Sequence, residues 1–432
     1  MIIPSEDEIA LRFTAAHTDY RRVEAHGTWL IWDSGKWRED STLAVFCATR
    51  SYCRSIADVC GGDRSKMGRG AYIAAVERLC RSDRGYAMTP DQFDADDWVL
   101  NTPGGIVDLR SGDLMPHGKE YYCRKMMAVE PDGDCPRWLK FLEEVTNYDY
   151  DLIDYLRRLA GYCLTGSTIE HTLHFFYGSG ANGKSVFINT LTGLLADYAY
   201  VAPIETFTET HGERHPTELA ALDGARLVVS QETERGKRWA QGRIKSLASG
   251  DPQTARKMRR DLYTFTPKCK LVIAGNAKPR LTSVDEAMRR RFHIVPFTVC
   301  IPAADRDPEL GEKLRKEWPG ILTWAIEGCL EYQRIGLSPP ASVIEATRKY
   351  LESQDVFADW LTTNCDCSEG LWSPKMMLYK NWQRFADQAG ERPGRLPDFA
   401  ERMENAGFRE GRNNVRQRHW KGLELKPTEQ IE

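Results

Sequence analysis

No Cys-x-x-Cys pair occurs in this 432-residue chain, although it carries 12 cysteines. A zinc knuckle needs two thiolates placed to reach one ion, and the closest pair, Cys365-Asp-Cys367, does not offer that spacing. The cysteines therefore read as reduced, mostly buried thiols of a cytosolic protein. Net charge is scarce as well: 59 Lys and Arg against 62 Asp and Glu leave −3. No global basic field exists, so contact with nucleic acid has to come from local patches. Apolar runs stay far short of the ~18 residues of a membrane span. The start, MIIPSEDEIALRF, has no charged lead, apolar stretch or cleavage site, so no secretory leader is expected. What is present is an ordinary globular profile, 41% apolar, 10% aromatic and 28% charged, which excludes a mainly disordered or collagen-like chain. At about 150 residues per domain, the length predicts two to three domains.

The pattern along the chain changes twice. Residues 18–38 read as a small hairpin, with Trp29 to Trp32 and Lys36 to Arg38 flanking the turn Asp33-Ser34-Gly35. Residues 41–86 carry helical spacing with Asp40 or Ser41 as N-cap, and 98–116 return to strand character around the turn Arg110-Ser111-Gly112-Asp113. Residues 136–163 look helical, with Trp138, Leu139, Phe141, Leu142, Leu152, Tyr155, Leu156 and Leu159 on a core-facing stripe. From 171 to 300, β-prone runs alternate with helical stretches: 171–177, 227–229, 271–274 and 293–297. Such alternation predicts a parallel α/β core. After Gly336 and Pro339-Pro340, three helices are expected at 343–362, 373–388 and 396–406, followed by a hairpin-like turn at Gly411-Arg412-Asn413-Asn414. No internal repeat or low-complexity segment is evident.

The run Gly178-Ser179-Gly180-Ala181-Asn182-Gly183-Lys184-Ser185 matches a P-loop, between a strand that enters it and an amphipathic helix that leaves it. In such a loop the glycines let backbone N–H groups wrap phosphate oxygens. The lysine supplies charge to the β- and γ-phosphates of ATP, and the Ser185 hydroxyl ligates Mg2+. A P-loop enzyme also needs a carboxylate at the tip of a neighbouring strand. Glu232 is the first candidate for it and Glu234 the second, although the stretch also reads as a solvated acidic loop. Asn276, after the strand 271–275, is placed to orient a water near the γ-phosphate, but Gly275-Asn276 is equally a turn sequence. Arg289-Arg290-Arg291 offers a guanidinium that a neighbouring copy could use, or a basic surface.

Two further segments are cationic. Residues 254–270 hold Arg256, Lys257, Arg259, Arg260, Lys268 and Lys270 against a single Asp261, with alternating Tyr263 and Phe265 suggesting a hairpin with a cationic tip. Such a tip can grip a phosphate backbone, and it can equally be a solvated turn. In the tail, Leu396, Phe399, Met403 and Phe408 keep core spacing, while Arg409, Arg412, Arg416, Arg418 and Lys421 lie on the outer face and the hairpin. Three helices and a basic hairpin describe a winged helix-turn-helix, or a basic-surfaced interaction domain.

These blocks resemble the superfamily 3 helicase module of phage- and plasmid-type primase-helicases, the group related to the poxvirus primase-helicase. The resemblance runs from about residue 20 to 425. It rests on Asn101 to Leu109, Gly161 to Gly166, Gly178 to Ser185, Ser230 to Glu234, Gly250 to Arg256, Gly275 to Arg280 and Arg290-Arg291. It implies an AAA+-type ring, usually a hexamer, that hydrolyses ATP while moving 3′→5′ on single-stranded DNA. By the same resemblance, Glu232 aligns with the acidic ATPase residue and Asn276 with the sensor asparagine. Arg290 and Arg291 align with the arginine finger, and Arg256 to Arg260 with the pore hairpin. Gln231 stands where a small residue is usual, Ala248-Ser249 where a Thr-Gly-like pair is, and Ala277 where a histidine is. Many relatives carry an N-terminal primase; none is visible here, so no primer synthesis is expected.

The expected architecture is an α+β collar over residues 1–140, an AAA+-type P-loop ATPase over 141–335 and a winged-helix-like DNA-binding domain over 336–432. The expected activity is ATP-driven DNA unwinding for a phage, plasmid or mobile element in a bacterial cytoplasm, on single-stranded and forked DNA, with a separate primase or initiator as a partner. Two other readings stand beside it: an origin-binding ATPase that assembles on duplex DNA without unwinding, and a small-molecule P-loop kinase. The kinase is disfavoured by the series Glu232, Asn276, Arg290.

Overall fold

A computed structural model describes residues 4–59, 64–209, 217–231, 237–256, 262–281, 286–389, 391, 393–412 and 418–426. The chain forms two compact units. One comprises residues up to Pro279 together with Arg290–Ala346; the other comprises Arg280–Arg289 and the chain from Thr347 onward. Among the described residues no helix is long and apolar enough to cross a membrane.

The first unit begins with helix Glu6–Ala16, which Ser5 caps by accepting from the Glu8 N–H at 3.2 Å. A three-stranded antiparallel sheet follows, Tyr20–Val23, Thr28–Asp33 and Lys36–Glu39, with the turn at Ser34-Gly35. The Asp40 carboxylate accepts from the N–H groups of Ala44 and Val45 at 2.9 and 3.0 Å and so starts helix Ala44–Val59. A second small sheet joins Val99–Thr102, Gly105–Asp108 and Asp113–Met115.

The helical stretch expected at 136–163 is two helices, Pro136–Thr146 and Tyr150–Leu164. Asn147 turns left-handed (φ 54°) and Asp149 caps the second helix through the Leu152 N–H at 3.0 Å. Leu139, placed on the buried stripe from the sequence, is 42% exposed, whereas Trp138, Phe141 and Leu142 are fully buried.

The core sheet has five parallel strands in the spatial order Phe292–Pro296, Leu173–Tyr177, Lys270–Gly275, Leu227–Gln231, Ala199–Val201. Every residue of Lys270–Gly275 is buried, as a central strand covered on both faces requires. Because all strands run the same way, their C-terminal ends emerge on one edge. Gly275 pairs with Tyr177 and Pro296 pairs with Tyr177 from the other side, so the loop that follows Tyr177 is flanked by Asn276 and Phe297. An α/β core that fits a P-loop ATPase is therefore what the alternating pattern built.

Three cations, Arg226 and Lys270 buried and Lys268 half-buried, tie residues 97–99 and 164–165 to this core. Arg226, 3% exposed, donates to the Val99 carbonyl at 2.8 Å and to that of Leu164. Lys268 meets the Asp97 carboxylate at 2.7 Å. Lys270, 2% exposed, donates to the Thr165 carbonyl, and burial pulls its pKa down to about 7. Lys268 and Lys270 thus leave the basic segment that the sequence grouped together. Lys270 satisfies a carbonyl inside the fold, where an unpaired polar group would be costly, and half-buried Lys268 pairs with a carboxylate nearer the surface.

In the second unit, the expected helix 343–362 breaks: helix Ala341–Glu352 ends, and Asp355 caps a new helix, Val356–Asn364, through the Ala358 N–H at 3.0 Å. An unexpected strand, Cys365–Pro374, comes next. It pairs with Arg418–Leu425, which pairs with Arg409–Arg412, all antiparallel. Helices Lys375–Gln388 and Leu396–Asn405 cover one face of this sheet around Trp360, Trp382, Phe399 and Trp420.

Candidate functional site

The loop Gly178–Ser185 sits at the C-terminal edge of the core sheet and opens into helix Lys184–Leu195. A cleft of about 490 Å³ lies over it, lined by residues 180–186 with Gln231, Ala274, Gly275 and Asn276. That volume falls in the ~300–1,000 Å³ range of small-ligand sites.

The loop's shape depends on two glycines. Gly183 has φ 83°, and a Cβ there would lie 2.4 Å from Val145 Cγ1 and 2.9 Å from Phe141 Cε2, so the helix Pro136–Thr146 presses directly on the loop. A Cβ on Gly178 would lie 2.0 Å from the Phe297 carbonyl oxygen. The same carbonyl accepts from Asn182 Nδ2 at 2.9 Å, and the Ile301 N–H donates to Ala181 at 2.9 Å. The chain after Phe292–Pro296 thus clamps the loop from outside.

Lys184 is 5% exposed. Its Nζ donates to three neutral oxygens: Gly178 O at 2.8 Å, Asn182 Oδ1 at 2.9 Å and Asn276 Oδ1 at 3.1 Å. Among the described residues no carboxylate pairs with it, and burial lowers its pKa from the ordinary lysine value. A buried ammonium held by neutral dipoles keeps its positive field for an incoming anion. Ser185 is exposed at the first turn of the helix, where unsatisfied N–H groups also favour an anion. One turn further, Asn189 Oδ1 accepts from Gln231 Nε2 at 2.9 Å, which ties the tip of Leu227–Gln231 to the loop helix. Ser179 and Gly180 complete the loop between the two clamped ends.

Other candidates lie elsewhere. Arg290 and Arg291 close helix Glu286–Arg291 and precede Phe292, which pairs with Leu173. They stand at the opposite edge of the sheet, about 16 Å from the loop at ~3.3 Å per residue. Arg291 donates to Ser249 Oγ at 3.0 Å, and Arg290 is exposed. Arg256 ends the strand Gln253–Arg256, which pairs antiparallel with Leu262–Phe265 as a hairpin. Lys257, Arg259 and Arg260 lie outside the described residues, as do Glu232, Glu234 and Arg416. Arg412 and Arg418 face each other across the tail hairpin, and Arg418 reaches Glu410 at 3.5 Å.

Three comparisons bear on this arrangement. The family model described as "D5 N terminal like" matches residues 10–147, and a second, described as a family of unknown function (DUF5906), matches residues 176–291. In sequence the chain is 26% identical over 294 residues, 62% of its length, to "Putative helicase L207/L206" of Acanthamoeba polyphaga mimivirus. It is 27% identical over 228 residues, 47% of its length, to "Putative helicase 022R" of Frog virus 3 (isolate Goorha). Together these matches support a superfamily 3 helicase module of the primase-helicase type. The chain spans 30% and 23% of the length of those two viral proteins. Among solved structures, the apo structure of the NrS-1 C terminal region (305–718) matches at TM-score 0.54 and 10% identity, over 98% of this chain and 100% of that one. At that identity the likeness is one of fold.

Sequence reasoning missed Asn182 as a lysine partner, the clamp from Phe297 and the Asn189–Gln231 bond. Asn189 carried a signal, since it lies four residues after Ser185 on a mainly apolar helix. The role of Phe297 rests on a backbone carbonyl and has no signature in residue type.

Proposed function

We propose that this chain is the motor of an ATP-dependent DNA helicase that works as a ring, moves 3′→5′ on single-stranded DNA and serves the replication of a virus-like or mobile element. The observation that carries the reading is the cage around Lys184, whose three acceptors among the described residues are all neutral. A buried cation held by neutral oxygens at a helix N-terminus suits a triphosphate.

In this reading Lys184 and the loop backbone from Gly178 to Ser185 hold the β- and γ-phosphates. Ser185 would hold Mg2+ together with Glu232; its exposed hydroxyl on the cleft side fits that ligand role. Bound there, the metal neutralises charge that develops between the phosphates. Glu232, next in the chain after Gln231, takes a proton from the attacking water. Asn276 keeps its amide oxygen on Lys184 and points its NH2 group toward that water. Arg290, exposed and at the far edge of the sheet, stands too far from the site of its own subunit and would serve one on a neighbouring copy. That geometry supports a shared site and hence a ring, with Arg291 beside it.

The antiparallel hairpin whose first strand ends at Arg256 would carry Lys257, Arg259 and Arg260 toward the strand. The first ~140 residues would serve as a collar. The tail, with Arg412, Arg416 and Arg418, would dock DNA as a winged helix. The test is strand displacement on forked duplexes bearing either a 3′ or a 5′ tail, with ATP and Mg2+. The reading expects displacement on the 3′-tailed fork alone and ATP turnover stimulated by single-stranded DNA. Binding to duplex without displacement of either fork would replace it with an origin-loading ATPase.

A further inference from the structure

The exposed face of the three-stranded sheet in the second unit carries a row of side chains that DNA docking through Arg412 and Arg418 does not use. Arg409 pairs with Lys421, and Lys421 pairs with Trp372, so the three stand side by side on one face. The next row on that face is Gly411, His419 and Pro374. The opposite face carries Trp420 into the core. Trp372, by contrast, leaves 50% of its surface exposed. Its ring meets the His419 ring edge-on, with centroids 5.4 Å apart and planes at 65°.

Gly411 makes this row possible. A Cβ there would lie 2.8 Å from His419 Nε2 and 2.9 Å from Lys421 Cε, so any side chain would displace both. His419 is 7% exposed, and its Nδ1 has no hydrogen-bond partner among the described residues. Arg409 and Lys421 are exposed, and among the described residues no carboxylate pairs with either. Glu410, the acid between them in register, lies on the other face with Lys375 and Arg418. A half-exposed indole braced by an imidazole, beside two uncompensated cations, combines a stacking surface with phosphate charge. That combination fits an unpaired polynucleotide strand, whose bases are free to stack, better than a duplex, whose bases are not.

We propose that this face is a binding site for single-stranded nucleic acid, with Trp372 stacking a base, His419 holding the indole in place, and Arg409 and Lys421 taking flanking phosphates. It rests on the reading of the tail as the DNA-docking part of the chain, and it adds the strand type and the residues.

The experiment measures binding of the full chain to a fluorescein-labelled oligothymidylate and to a labelled blunt duplex by anisotropy, without nucleotide. Trp372→Ala is expected to weaken oligothymidylate binding about tenfold and duplex binding less than about twofold, the loss of one base stack. Trp372→Phe keeps most of the affinity. Arg409→Glu with Lys421→Glu weakens the same binding and flattens its salt dependence. Both sites are exposed, so an unchanged thermal midpoint identifies a folded variant. The pair Arg412→Glu with Arg418→Glu separates the two readings. If that pair alone weakens DNA binding, the tail docks DNA and the stacking site is overturned. If none of the variants changes binding to either DNA, both readings fall. Loss of self-association in Trp372→Ala with oligothymidylate affinity intact would make the face a protein contact and also overturn the proposal.

Discussion

Lys184 Nζ and Asn276 Oδ1 stand 3.1 Å apart across the tips of two adjacent parallel strands. An ammonium can only donate, so the amide must turn its oxygen to the lysine and its NH2 group away. The contact therefore fixes both the lysine and the direction of the asparagine's donors. Asn276→Asp would replace the neutral acceptor with a carboxylate. The lysine would gain a counter-ion and lose its field toward a phosphate. Nucleotide affinity is expected to fall about tenfold, ~1.4 kcal/mol, in a titration with a fluorescent ATP analogue. Unchanged affinity would remove the cage from the account.

Gly183 packs where no side chain fits. Gly183→Ala would force a Cβ to within 2.4 Å of Val145 on a backbone at φ 83°. Strain of this kind costs about 1–3 kcal/mol, and the loop would have to move away from helix Pro136–Thr146. Both the thermal midpoint and ATP binding should drop. Stability without loss of binding would mean that the loop tolerates the shift.

Arg290 and Arg291 differ in their surroundings. Arg291 is anchored on Ser249, while Arg290 is exposed. Arg290→Ala should leave folding and nucleotide binding near wild type and abolish turnover. Mixing it with Lys184→Ala subunits should restore part of the activity, because each supplies what the other lacks. No recovery in mixtures would argue against a site shared between copies.

Stability should weaken in mild acid. Under the core sheet, Tyr155 Oη lies 2.9 Å from His174 Nδ1 and 2.8 Å from His293 Nδ1. Burial pushes His293 down to about 4 and His174 well below the ordinary value of 6.5, the latter helped by its histidine neighbour. In the unfolded chain both take a proton near pH 6.5; in the folded chain they stay neutral. The unfolded state then binds more protons between about pH 6.5 and 4, so folding stability is full above that window and falls as the pH drops through it. The slope is about 1.4 kcal/mol per pH unit for each histidine. Chemical denaturation from pH 7.5 to 4.5 checks this, and His293→Asn should flatten the profile. A flat wild-type profile would contradict it.

The parts of the fold that were legible in the sequence are those with local causes. Alternating apolar runs gave the parallel strands, and the loop glycines gave the P-loop, because both reflect backbone needs of a few consecutive residues. The helix break at 353–355 was hidden by apolar spacing that continues through Val356 and Phe357. The strand Cys365–Pro374 was hidden by the bulge between Cys367 and Trp372, where Ser-Glu-Gly interrupts the alternation. Lys268 and Lys270 looked like part of a cationic hairpin because charge in sequence does not say which way a side chain turns. The separation of Arg290 from Lys184 became readable only with strand order, since a parallel sheet places residues before and after a strand at opposite edges.

The most direct test of the account is ATP turnover by wild type and Lys184→Ala, each with and without single-stranded DNA. Wild type is expected to show DNA-stimulated turnover and the variant a fall of at least ~100-fold, with its thermal midpoint preserved. A folded Lys184→Ala protein that hydrolyses ATP at the wild-type rate would contradict it.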